Sequence, residues 1–143
     1  MLRRGEGLAD MQVNNLIVVV TFLALLVYFW TTIRVGGARG RTGVAAPSIT
    51  GHPDFERAYR VQLNTLEWLP LFLPSLWLFA YYWDPRIGAG IGLVWVAARI
   101  YYAVSYSKDP AKRGPGFGVQ ALCTGILLVG ALGKAAYLLA TGG

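Results

Sequence analysis

One cysteine and one histidine in 143 residues close off several chemistries at once. Cys123 has no second cysteine to pair with, so no intrachain disulfide framework exists and cysteine usage does not reveal the compartment. Cys123 and His52 are too few for a zinc cluster, and no metal is expected. A Ser-His-Asp constellation would have to use His52, and no carboxylate pair stands at hydrolase spacing. No Asn-x-Ser/Thr acceptor is present. Charge is scarce too. Only 14% of residues are charged, against about 25% in soluble domains. Acids are the scarcer sign: 7 Asp and Glu against 13 Lys and Arg, for a net charge of +6. The basic residues bracket apolar runs and form no soluble patch, which argues against a nucleic-acid partner.

Apolar residues fill the space. They make up 55% of the chain and give a mean hydropathy of +0.48, which marks an integral membrane protein. Four runs are long enough to cross a bilayer as helices, at about 13–35, 53–82, 87–106 and 117–139. Residues Met1–Gln12 are polar and are expected to be irregular. Arg3 and Arg4 precede the first run as they would in a signal peptide, but the run is too long and no small-residue cleavage site follows. That run carries no internal charge, which suits lipid contact or packing. The Gly- and Arg-rich segment Arg34–His52 reads either as a headgroup-facing connector or as a loop from which Arg39 or Arg41 reaches back to a site. A second basic connector spans Ser107–Gly116. The positive-inside rule places both connectors in the cytosol and both termini outside, in a bacterial inner membrane or the endoplasmic reticulum.

The second run breaks the apolar pattern. Arg57, Arg60, Asn64 and Glu67 are three, four and three apart, so they share one narrow helical face. Charges at membrane depth cost roughly 2.5–3.5 kcal/mol each on insertion scales, and they usually face a bundle interior. The stripe therefore reads as the wall of a site for a small, charged, hydrogen-bonding ligand. Pro53 suits a first helical turn, and Asp54 and Glu56 complement the helix N-terminus. Pro70 and Pro74 either kink this helix beside the stripe or are tolerated as ordinary membrane-helix prolines. In the third run Trp95, Arg99, Tyr102 and Tyr106 share a face, and Glu67 is the natural partner of Arg99. Gly88, Gly90 and Gly92 follow no strand, so they read as close helix packing and not as a dinucleotide loop. The fourth run is rich in small residues, among them Gly125, Gly130 and Gly133.

Arginines, tyrosines, an amide and a carboxylate suit a peptide-like ligand bearing carboxylates and an amine. Arg forks carboxylates, Glu67 can hold an ammonium, and Asn64 can meet an amide. Any reaction would then use the ligand's own nucleophile. The run F-E-R-A-Y-R-V-Q-L-N-T-L-E-W-L-P-L-F-L resembles the second-helix signature of the MAPEG family, the membrane-associated proteins in eicosanoid and glutathione metabolism. The later G-L-V-W-V-A-A-R-I-Y-Y-A-V-S-Y, with Arg113 after a short loop, resembles that family's second signature. The resemblance extends over about 34–139 and is nearest the leukotriene C synthase and microsomal glutathione transferase subgroup.

It implies an all-α integral membrane protein, a bundle of four transmembrane helices assembling as a homotrimer, with glutathione bound between subunits near the cytosolic face. By motif position, Arg60, Asn64, Glu67, Trp68, Tyr102 and Tyr106 would meet glutathione from one subunit, and Arg39 and Gln62 from its neighbour. Trp68 stands where relatives carry a tyrosine. Arg113 matches the arginine that activates the glutathione thiol. The second of two consecutive arginines expected after the first helix is here Gly40, which favours a broad detoxifying transferase over leukotriene synthesis. The implied activity is conjugation of glutathione to hydrophobic electrophiles drawn from the bilayer, with peroxidase activity toward lipid hydroperoxides as an extension. The alternative within the family is a non-catalytic lipid-binding scaffold.

Overall fold

The computed structural model describes residues 4–142, with side chains from 14 to 142. It contains four long helices and one short turn of 3₁₀-helix. These are α1 (Arg4–Thr42), α2 (Pro53–Tyr82), α3 (Pro85–Lys108), the 3₁₀ turn Pro110–Arg113, and α4 (Gly114–Thr141). Three of them, α1, α3 and α4 with its preceding turn, are long and apolar enough to cross a membrane. The second helix has the length but carries Asp54, Glu56, Arg57, Arg60 and Glu67 in its first half.

The punctuation of α2 and α3 follows from side chains that compete for free backbone donors. The lone histidine, His52, caps α2: its Nδ1 accepts from the Asp54 amide at 3.2 Å. Asp84 caps α3, its Oδ1 accepting from the Arg86 amide at 2.9 Å, with Pro85 at the first helical position. The turn expected at Trp83–Arg86 is thus shorter, because Pro85 and Arg86 already belong to α3.

Two expectations fail at α1. It runs on to Thr42, through Gly36, Gly37 and Gly40, where a loop from Arg34 was expected. Each glycine costs about 1 kcal/mol relative to alanine in a helix, but no proline or side-chain cap intervenes to end the helix earlier. Arg39 and Arg41 in the last turn also oppose the negative end of the helix dipole. At the other end, Arg4–Gln12 are helical and not irregular; Met1, Leu2 and Arg3 lie outside the described residues. Pro70 and Pro74 do not divide α2, which is continuous from Pro53 to Tyr82.

The core lies where α1, α2, α3 and α4 meet. Phe72 of α2 stacks on Trp95 of α3, centroids 4.0 Å apart and 5° from parallel, and the Trp95 indole donates to Thr124 of α4 at 3.1 Å. Close approach depends on particular glycines. A Cβ on Gly92 would stand 2.6 Å from Val20 of α1, and one on Gly130 would stand 2.8 Å from Phe79. Gly90, Gly125 and Gly133 have open space instead, so close packing explains only part of the glycine content. The outward faces carry large apolar side chains, Phe22, Phe29, Val129 and Leu132 among them.

Candidate functional site

At one end of the bundle α2, α3 and α4 converge on a buried cation. Arg99 of α3 is fully excluded from solvent. Its Nε donates to the Thr65 hydroxyl at 3.1 Å, one terminal nitrogen to Gln120 Oε1 at 2.9 Å, and the other to Asn64 Oδ1 at 2.6 Å. Its guanidinium also lies 4.3 Å from the centre of the Tyr102 ring. One residue of α3 therefore ties α2 to α4.

The expected Arg99–Glu67 ion pair is absent. Asn64 stands between them, accepting from Arg99 and donating from Nδ2 to Glu67 Oε2 at 3.3 Å. Arginine has only donors, so the Asn64 amide must turn its oxygen inward and its NH₂ toward Glu67. Among the residues with described side chains the one ion pair is Arg57 with Asp54, 3.9 Å apart within α2.

The polar stripe is consequently not the bundle interior it was expected to be. The buried face of α2 is Phe55, Ala58, Val61, Thr65, Leu69, Phe72, Ser75, Leu76 and Phe79. Arg60 and Glu67 are exposed at the edge of that face, while Asn64 and Arg57 are half-buried. The helical face is as expected, but it borders the bundle.

Beside Arg99 a cleft of about 380 Å³ opens, lined by Arg60, Asn64, Tyr102, Tyr106, Arg113 and Phe117. Tyr102 and Tyr106 sit 5.6 Å apart, and Phe117 closes the wall 6.3 Å from Tyr102. Trp68 supports that wall edge-on, 5.5 Å from Phe117, and does not line the cleft. Arg113 is the last residue of the 3₁₀ turn and the residue before α4, and its side chain caps no backbone group. Its guanidinium and the first amides of α4 both put positive potential at this end of the cleft. What allows this is Gly116, where a Cβ would lie 2.8 Å from the Tyr102 nitrogen and 3.0 Å from the Ala98 oxygen. The helix backbones touch there, which holds Arg113 and Phe117 against Tyr102.

Arg39 and Gln62 lie apart from this cleft. Arg39 donates to the carbonyls of Val44 at 3.2 Å and Ser48 at 2.9 Å, and stacks on Phe55, which ties the loop after α1 to α2. Gln62 donates to the Thr32 hydroxyl of α1 at 3.0 Å.

The MAPEG family profile matches residues 17–133. The chain belongs to the MAPEG family. Human microsomal glutathione S-transferase 2 is 36% identical over 124 residues, covering 84% of this chain and 82% of the relative. Bovine leukotriene C4 synthase is 37% identical over 94 residues, covering 66% and 63%. An uncharacterized protein of the cyanobacterium Synechocystis is 51% identical over 113 residues, covering 79% and 82%. In this MAPEG chain Gln120 also holds Arg99 and Phe117 also lines the cleft, two residues that the sequence pattern did not single out. A glutamine within the apolar fourth run was the available signal for the first, by the same logic that singled out Arg99.

Proposed function

We propose that this MAPEG protein is a membrane-bound transferase that conjugates the thiolate of glutathione to hydrophobic electrophiles. The observation that carries the reading is the convergence of Arg60, Asn64, Tyr102, Tyr106 and Arg113 on one cleft. Two of these are arginines with no acid within ion-pair distance among the described residues, which is what a tripeptide with two carboxylates and a nascent thiolate needs. Glu67, held among the described residues by Asn64 alone, keeps lone pairs for the ligand's ammonium. Relatives named as glutathione transferases support the same substrate.

Arg113 binds the sulfur as it loses its proton. An unperturbed thiol titrates near ~8.5, and a guanidinium beside it favours the thiolate. Arginine is itself always charged, so the thiol proton leaves to water and not to Arg113. The Tyr102 and Tyr106 hydroxyls can donate to the same sulfur. The thiolate then attacks the electrophilic carbon, a carbon–sulfur bond forms, and the leaving group departs with its electron pair. With a lipid hydroperoxide the sulfur attacks the terminal oxygen instead, the O–O bond breaks, the lipid leaves as its alcohol, and a second glutathione converts the resulting sulfenic acid to disulfide and water.

The site is completed by neighbouring copies in a homotrimer whose α2 is the fourth membrane crossing. Exposure of Arg60 and Glu67 supports this, since charged groups at membrane depth need partners that one bundle does not supply. Gln62 and Arg39, pointing away from their own cleft, are the groups a protomer would offer its neighbour's. The basic ends after α1 and after α3 face the cytosol under the positive-inside rule. The test is a conjugation assay in mild detergent with a panel of electrophiles, with glutathione affinity and native mass measured on the same sample. Transferase activity from a trimer is expected. Glutathione binding without turnover across the panel would favour a scaffold, and no binding would overturn the reading.

A further inference from the structure

A second feature lies on the far side of α1 from Gln62 and Arg39. Between α1 and α3 runs a wholly apolar groove of about 490 Å³, with Leu23, Val27, Trp30, Ile33, Val96 and Ile100 among its walls. Two helices packed about 8–10 Å apart leave room for one chain between their outer flanks.

Arginines continue the groove at one end. On α1 the stripe Leu23–Val27–Trp30 is followed at the same helical spacing by Arg34, Gly37 and Arg41. Arg34 lies over the Trp30 ring at 4.9 Å and makes one long bond, 3.4 Å, to the Ala103 carbonyl of α3. Its other donors meet no acceptor among the described residues, and no described carboxylate lies within ion-pair distance. Arg41 folds back toward it: a Cβ on Gly37 would stand 3.2 Å from an Arg41 terminal nitrogen. Two guanidinium groups thus flank a bare glycine at the end of an apolar groove, with no acid between them. Like charges so placed repel, and an anion between them removes the penalty.

We propose that this is a binding site for an acidic phospholipid, with one acyl chain in the groove and its phosphate between Arg34 and Arg41. Guanidinium forks suit phosphate. The second arginine disfavours a headgroup that carries its own ammonium, so a glycerol headgroup is preferred over choline. The site shares no residue with the cleft at Arg113, and it stands whether or not the transferase reading does.

Reconstitution in phosphatidylcholine vesicles doped with a brominated phospholipid tests it, because bromine on the acyl chain quenches a tryptophan it touches. The Trp30 signal is the difference between the wild type and Trp30→Phe. Brominated phosphatidylglycerol should quench it at about one-tenth the mole fraction that brominated phosphatidylcholine requires, a difference of ~1.4 kcal/mol. Arg34→Gln with Arg41→Gln should abolish that preference, while Arg34→Lys with Arg41→Lys retains most of it; the lysine pair keeps the test valid if the glutamine pair folds poorly. Equal quenching by the two lipids in wild type overturns the proposal. So does quenching by added brominated oleate that phosphatidylglycerol does not relieve, which would make the occupant a free fatty acid. Efficient disulfide linkage of Ile33→Cys between protomers would show a second copy covering the groove and would also overturn it.

Discussion

One buried arginine and two exposed ones meet at the same end of the bundle and could hardly differ more. Arg99 is wholly buried, and every nitrogen of its guanidinium group donates to a named protein acceptor. Arg60 and Arg113 are exposed, line a cleft and hold no protein partner among the described residues. Burial without an acid is costly for a charge, so Arg99 persists by spreading its charge over Thr65, Gln120, Asn64 and the Tyr102 ring. That arrangement fixes two walls of the cleft, Asn64 from one side and Tyr102 from the other. The cations that line the cleft are left without a partner among the described residues, and the cation behind it is satisfied completely.

The largest break in this contrast should come from Arg99→Met. It leaves Gln120 with neither amide atom paired, since its Nε2 already lacks a partner, and it frees the Asn64 oxygen. Unpaired buried groups cost about 1–3 kcal/mol each, so a loss on the order of 3 kcal/mol is expected in thermal or denaturant unfolding in detergent. Arg99→Lys keeps the charge but not the fork, and should fall between. A stability equal to wild type for the methionine variant would show that the cluster does not hold α2 to α4.

Gly116→Ala should come next. The added methyl meets backbone at 2.8 Å, which cannot swing aside as a side chain can. Overpacking of this kind costs about 1–3 kcal/mol, and the relief available is to move the start of α4 with Arg113 and Phe117. Glutathione affinity by calorimetry should drop along with the melting temperature. Gly118→Ala, at an open position two residues on, should change neither and serves as the control.

Glu67→Gln sharpens the contrast at its small end. The carboxylate is exposed and, among the described residues, hydrogen-bonds to Asn64 alone, so stability should change by less than about 0.5 kcal/mol. Glutathione affinity should fall clearly, because a neutral amide cannot balance an ammonium. A large stability loss with unchanged affinity would move Glu67 into the structural set with Arg99.

The helical plan was legible because membrane spans announce themselves by length, and because Pro53 and the Asp84-Pro85 pair punctuate the chain chemically. The α2 bounds came out as expected for that reason. The end of α1 did not, since glycine lowers helix propensity without forbidding the helix, and only tertiary contacts such as Arg39 on Phe55 decide where it stops. The shared face of Trp95, Arg99 and Tyr102 followed from spacing alone. The partner of Arg99 did not. Charge matching pointed to Glu67, whereas the acceptors are neutral oxygens on three residues, one of them Gln120, which sequence distance conceals. Whether a polar helical face turns inward or to the edge is likewise invisible to periodicity, and Arg60 and Glu67 turned to the edge.

The claim that Arg113 belongs to the ligand and not to the fold is tested most directly by the thiolate absorbance that appears when the protein is mixed with glutathione, followed against pH for wild type and Arg113→Ala. Thiolate should form well below ~8.5 in wild type, the ordinary thiol range. A shift of about two pH units, ~2.7 kcal/mol, should disappear in the variant, with turnover down about a hundredfold and the melting temperature unchanged. Thiolate formation at the same pH in Arg113→Ala, with conjugation undiminished, would contradict the account.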